Sequence, residues 1–191
     1  MDVAIVYESL FGNTRKVAEA IATGIRETDP AAQVTLFRTA DTGPGGAGPG
    51  SGPAHAELLI VGGPTHALRM ASQHTRTQGL GAAEKTARDN GGQAETEPGA
   101  DGPGAREWLD RAPMAQPGRR AAAFDTRLAF PLAGGAARPI ARQLRRRGYR
   151  LAAKPEGFIV TGTAGPLRDG ELDRARAWGA ALAAQVVPTP A

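Results

Sequence analysis

The chain has no cysteine in 191 residues, which removes disulfides, thiolate metal ligands and thiol redox chemistry together. Any redox role must therefore use a cofactor. Aromatic residues are 5% of the chain, too sparse for the stacking platforms of single-strand nucleic-acid binders. No apolar run approaches the roughly 20 residues of a membrane span, and the first residues read as a strand rather than a basic, then apolar, leader. The expectation is a cytoplasmic protein that binds neither membrane nor nucleic acid. Lysine is scarce as well. Of 23 basic residues only Lys16, Lys85 and Lys154 are lysine, while Arg, Ala, Gly and Pro are all abundant. The net charge of +4 thus reflects biased composition as much as a basic surface.

What is present is concentrated. With 41% hydrophobic residues, 26 Gly and 15 Pro, the core must come from a few segments separated by long loops. The length suits one domain over residues 1–191, with flexible segments at 42–53 (TGPGGAGPGSGP) and at about 68–104. The most informative stretch runs from Asp2 to Ile25. Val3 to Tyr7 is an unbroken apolar run, the pattern of a strand buried on both faces. A loop from Glu8 to Asn13 follows, and then Val17, Ala18, Ile21 and Ile25 recur at helical spacing. A strand that feeds a helix through so short a turn creates an anion site, because the first helical N–H groups lack partners and the dipole is positive there. Gly12 permits close approach, and Ser9, Asn13 and Thr14 add hydroxyl and amide groups. Arg15 and Lys16 occupy a first turn where acids are usual. These residues alone fit a phosphate site or an ordinary cap with two solvated cations equally well.

Further strands are expected at Gln33–Phe37, Leu58–Val61, Arg120–Phe124 and Gly157–Val160. Helices are expected at Ala105–Arg111, Ala136–Tyr149 and Glu171–Val186, with a helical piece around Leu80–Ala87 inside an otherwise aperiodic excursion. The helix at Ala136 carries a stripe of Ala137, Ile140, Ala141, Leu144 and Gly148, opposed by Arg138, Arg142, Arg145 and Arg146 without one acid. That face suits an acidic partner or plain solvent. In the last helix the stripe includes Leu172, Ala175, Trp178 and Leu182, with Trp178 in the core. Five strands alternating with helices predict an α/β, doubly wound, five-stranded parallel sheet of order 2-1-3-4-5. In such sheets ligands gather outside the carboxyl ends of the strands, where Gly62–His66 and Asp125–Arg127 are expected to form loops.

Three of these loops, ESLFGNT, GGPTHALRM and FDTRL, resemble the flavodoxin family, which implies a flavodoxin-like fold and FMN as cofactor. The first fits the phosphate loop S/T-x-T-G-x-T with one change: Phe11 stands where a hydroxyl is usual, as an aromatic does in WrbA-type quinone reductases and flavodiiron proteins. By this resemblance Ser9, Leu10, Phe11, Gly12, Asn13 and Thr14 would hold the FMN phosphate. Pro64, Thr65, His66 and Ala67 would line one side of the flavin ring, and Asp125, Thr126 and Arg127 the other. Typical flavodoxins stack the ring between Trp and Tyr. These loops have neither, leaving His66 or Phe130 as partial substitutes.

The resemblance implies a flavoprotein of electron transport with a redox partner protein, acidic if it uses the arginine face, and no catalytic or metal-binding residue of its own. An FMN-dependent NAD(P)H:quinone reductase, or a scaffold without FMN, are the alternatives. A phosphoacceptor receiver is excluded by Glu8 standing alone after the first strand and Gly62–Gly63 ending the third, and a hydrolase by the missing GxSxG elbow. Histidines 55, 66 and 74 lack metal-ligand company.

Overall fold

The computed structural model describes residues 1–43, 52–66, 69–70, 73–89, 96–129 and 134–186. Strand β1 (Asp2–Tyr7) is central, paired in parallel with β2 (Gln33–Arg38) on one side and β3 (Leu58–His66) on the other. Next to β3 lies β5 (Arg120–Leu128), and a short β4 (Arg69–Met70) turns back on β3 antiparallel. The last position is shared by β6 (Arg150–Leu151), which pairs with Arg120 and Ala121, and β7 (Glu156–Val160), which pairs with Phe124–Leu128. The order across the sheet is therefore 2-1-3-4-5 by position, as expected.

Alternation along β1 explains the two-sided core. Val3, Ile5 and Tyr7 face one cluster with Leu58, Ile60, Phe124 and Phe158, covered by helices α1 (Asn13–Thr28) and α5 (Glu171–Val186). Ala4 and Val6 face the other with Leu59, Val61, Trp108, Ile140 and Leu144, covered by α3 (Ala105–Arg111) and α4 (Ala137–Arg146). On the first face α1 and α5 approach at two glycines. A Cβ on Gly24 would lie 1.9 Å from the Arg176 carbonyl oxygen, and one on Gly179 would lie 2.2 Å from that of Ile21. At β2 the cover is thin, and Val34, Leu36 and Phe37 stay half-buried.

Several expectations need correction. Strands β3 and β5 run past Val61 and Phe124, so Gly62–His66 and Asp125–Arg127 belong to strands rather than loops. Gly62 pairs with Phe124, whose ring fills the space a Cβ would need, and Pro64 lies beyond the end of β1, where a missing N–H breaks no central ladder. Helix α2 spans Gln73–Asp89, twice the expected length. Its described side chains from Thr77 to Arg88 are exposed or half-buried, so no apolar stripe announced it. Helix α4 stops at Arg146 because Gly148, at φ 89°, closes a Schellman motif: its N–H meets Arg145 O and the Tyr149 N–H meets Leu144 O. Gly148 is thus an exposed cap and not part of the buried stripe. Leu172 is 43% exposed. Trp178 is half-buried, edge-on to Phe124 and Phe158. Of the segment 42–53, residues 44–51 lie outside the described set, and Pro53–His55 form a single 3-10 turn. No helix among the described residues is long and apolar enough to cross a membrane.

The start of α4 is held by two residues of neighbouring strands. The Ala136 N–H donates to Thr65 Oγ1 at 2.9 Å and the Ala137 N–H to Asp125 Oδ2 at 2.9 Å. Pro139, in the first turn, has no N–H to satisfy. Asp125 is fully buried, and its Oδ1 has no hydrogen-bond partner among the described residues. Burial pushes its carboxyl pKa up, opposed by the Ala137 N–H and by Arg127.

Two outcomes test this packing. Gly24→Ala should destabilise by about 1–3 kcal/mol through overpacking, whereas Gly81→Ala, in α2 with nothing within 4 Å of the added carbon, should stabilise by up to about 1 kcal/mol. Thermal denaturation of the two variants measures the contrast. Asp125 sets a pH dependence. Above the ordinary carboxylate value of 3.8 the unfolded chain has released a proton that the folded state keeps, so stability falls as pH rises through that window. Asp125→Asn should remove this slope and be relatively more stable near neutrality than at pH 4. Urea titrations across pH that show the variant losing ground as pH rises would contradict it.

Candidate functional site

The carboxyl ends of β1, β3, β5 and β7 surround one pocket of about 170 Å³. Leu10, Phe11, Asn13 and Thr14 come to it from the first loop, Pro64 and Thr65 from β3, and Thr126 and Arg127 from β5. Three sequence-distant segments therefore meet where the expected site lies. Ser9, Gly12 and Asp125 stand behind its lining. His66 extends β3 by pairing with Arg69, and Ala67 and Phe130 lie outside the described residues.

Each wall has a local cause. Gly12 is at φ 81°, the left-handed conformation that suits glycine, and turns the chain directly into α1. The Thr14 hydroxyl lies 2.9 Å from the Thr126 hydroxyl in a buried contact that ties the first loop to β5. The Asn13 side-chain amide donates to Ala164 O at 2.9 Å, drawing the loop after β7 over the helix start. A Cβ on Gly165 would lie 2.5 Å from that amide. Side chains of Asn13 and Thr14 thus build the site, and what they leave for a ligand is backbone. Among the described residues no acceptor meets the N–H groups of Leu10, Phe11, Gly12, Asn13 or Thr14, while the Arg15 N–H reaches Ser9 Oγ at 3.4 Å. A run of unanswered donors at a helix start, next to a left-handed glycine, fits a phosphate.

The first-turn cations behave differently from each other. Arg15 is already matched: its Nε lies 3.0 and 3.2 Å from the two Glu97 carboxylate oxygens and its Nη1 2.9 Å from Glu19. The Glu97 N–H also donates to Leu10 O at 2.8 Å, so residue 97 straps the loop from outside. Lys16 is exposed. Arg15 therefore needs no bound anion to balance its charge, and the backbone donors carry the site.

Arg127 brings positive charge to the opposite wall. Its guanidinium lies across Gly157, where a Cβ would be 2.2 Å away, and Nη1 is 3.6 Å from Asp125 Oδ2. Asp125, expected beside a flavin, is instead the buried anchor of α4 described above. Glu8 is likewise structural, accepting the Ala105 N–H at 2.8 Å to start α3.

The sequence reading missed Leu128, Val160 and Thr163 as lining. The rule that ligands gather at carboxyl strand ends pointed to Thr163, in the loop after the last strand. Leu128 is hidden in the sequence because the apolar run of β5 ends at Phe124, while the strand continues to Leu128. Nothing in the sequence around Glu97 marks it as a neighbour of Gly12.

No protein-family model matches this sequence, and no curated protein matches it at a significant level. Solved structures do. A flavodoxin from the domain Archaea is 21% identical with a TM-score of 0.60, covering 97% of this chain and 99% of its own. Oxidised flavodoxin 2 from Bacillus cereus is 17% identical with a TM-score of 0.60, covering 96% and 99%. A flavodoxin, WrbA-like protein from Agrobacterium tumefaciens is 16% identical with a TM-score of 0.55, covering 97% and 96%. Agreement over nearly the full length of each, on top of the strand order already described, shows that this chain has the flavodoxin-like fold.

Proposed function

We propose that this protein binds FMN at the pocket and passes electrons between redox partners. The observation that carries the reading is the row of unanswered N–H groups from Leu10 to Thr14 at the start of α1. They would hold the phosphate, with Ser9 beside them, and Pro64, Thr65, Thr126 and Arg127 would face the ring. Bound FMN supplies the electron chemistry, and the chain supplies binding, orientation and electrostatics. No acid, base or nucleophile of the chain is then required. A pocket of about 170 Å³ is below the roughly 300–1,000 Å³ that encloses a drug-sized ligand. A mononucleotide would lie partly outside it, open to a partner.

One feature favours a second reading, an FMN-dependent NAD(P)H:quinone reductase. The excursion that contains α2 rises directly from the pocket wall, with Thr65 paired to Met70. Anaerobic mixing with NAD(P)H separates the two readings, since a reductase bleaches its bound flavin and a carrier does not.

Titration of the purified protein with FMN, followed by quenching of flavin fluorescence, should give saturable binding that riboflavin does not reproduce. Gly12→Val should weaken FMN by about tenfold or more, about 1.4 kcal/mol, because the left-handed turn strains and the new carbon meets Glu97 Oε1 at 2.9 Å. Equal affinity for riboflavin would remove the phosphate site, and no binding of either would leave a scaffold. Arg127 attracts the charge that reduction adds to the ring. Potentiometry should therefore give a less negative flavin potential than acidic flavodoxins show, and Arg127→Gln should make it more negative.

A further inference from the structure

The charge of this chain is distributed very unevenly among its helices. Helix α1 carries three basic and two acidic residues, and α3 and α5 carry two of each. Helix α4 carries Arg138, Arg142, Arg145 and Arg146 and no acid, so its formal charge equals the +4 of the whole chain. The imbalance continues beyond it: residues 126–155 hold eight basic residues and no Asp or Glu.

All four arginines are exposed, and among the described residues none of them has a carboxylate at ion-pair distance. The opposite face of the sheet contrasts with this. There Arg15 meets Glu19 and Glu97, Arg174 meets Glu156 and Glu171, and Arg176 meets Glu27.

Helix stability does not account for the pattern. Arg145 and Arg146 sit in the last turn, where the dipole favours cations, but Arg138 is in the first turn, where it does not. Spacings of four (138 and 142, 142 and 146) and three (142 and 145) stack like charges on one face, which weakens the helix. No described residue of the chain compensates this charge, which leaves ions or a surface of opposite sign to do so.

Position decides between them. Helix α4 begins behind the pocket wall, its first N–H groups held by Thr65, which lines the pocket, and by the buried Asp125, and its ten residues carry the arginine row about 15 Å away from that end. We infer that this row is the docking face for an acidic electron-carrier protein, which lies along α4 with one end over the pocket. That the partner is a redox protein rests on the FMN reading above, whereas the docking face itself rests on the charge pattern and its place. A single-stranded nucleic acid is the poorer fit, because the exposed face of α4 holds arginines with no aromatic residue among them for base stacking.

The test is a nitrogen-15 NMR titration of the protein, with and without FMN, against an acidic plant-type ferredoxin at low ionic strength. Amide shifts should fall on α4 and the pocket rim, and added salt should reverse them. Arg142→Gln/Arg145→Gln/Arg146→Gln should weaken binding at least tenfold. A control that removes two arginines from the opposite face, Arg26→Gln/Arg176→Gln, should change it less than twofold. Shifts centred on α1 and α5, no shifts at all, or equal effects of the two variants would overturn the inference. So would a DNA duplex that binds α4 more tightly than the ferredoxin. Ferredoxin shifts on α4 in a protein that does not bind FMN would support the docking face and remove the redox reading. FMN binding with α4 unmoved would do the reverse.

Discussion

A strand buried on both faces is stable only if each face is covered, and β1 imposes that requirement on the whole chain. Its alternating side chains send Val3, Ile5 and Tyr7 to one layer and Ala4 and Val6 to the other. The first layer closes through backbone approach of α1 and α5 at Gly24 and Gly179, and the second through the alanines of β5 under α4. Tight covering fixes where α1 starts relative to the end of β1. The donor-lined turn at Gly12 is thus a by-product of packing as much as a feature of the loop.

The fold was legible where burial leaves a period in the sequence. Helices α3 and α5 begin and end where the pattern places them, and the alternation of strands with helices predicts the doubly wound sheet, whose observed order is the 2-1-3-4-5 expected. Legibility failed where structure does not depend on burial. Helix α2 forms from residues such as Gln, Ala, Glu, Lys and Arg that favour helix while packing little, so periodicity had nothing to report. Gly62, Gly63 and Pro64 read as a loop because turn residues are usually loop residues. Here pairing with β5 on one side holds them extended.

The candidate site shows the same division. Its place was readable from three loops that converge at carboxyl strand ends, and most of the expected residues do line one pocket. The roles of individual side chains were not readable. Asn13, Thr14 and Asp125 carry the polar groups that resemblance would aim at a cofactor, yet they bind Ala164, Thr126 and the first turn of α4. Such partners are distant in sequence, up to 151 residues for Asn13, and no local pattern records them.

The divided fifth strand also bears on how the sheet ends. Between the pairs Ala121–Leu151 and Phe124–Glu156, two residues of β5 face four of its neighbour, so the stretch 152–155 bows out of the ladder as a bulge. Past it, the outer side of β7 is taken by the returning chain, with Thr161 bound to Pro166 O and the Arg168 N–H to Ile159 O. That margin offers no uninterrupted row of donors and acceptors to a neighbouring sheet. The opposite margin is β2, six regular residues with Gln33 and Thr35 exposed. The two borders of the sheet are therefore unequal: among the described residues one is closed by the chain's own backbone, and the other is a regular strand on which the Arg26 side chain bonds the Val34 carbonyl.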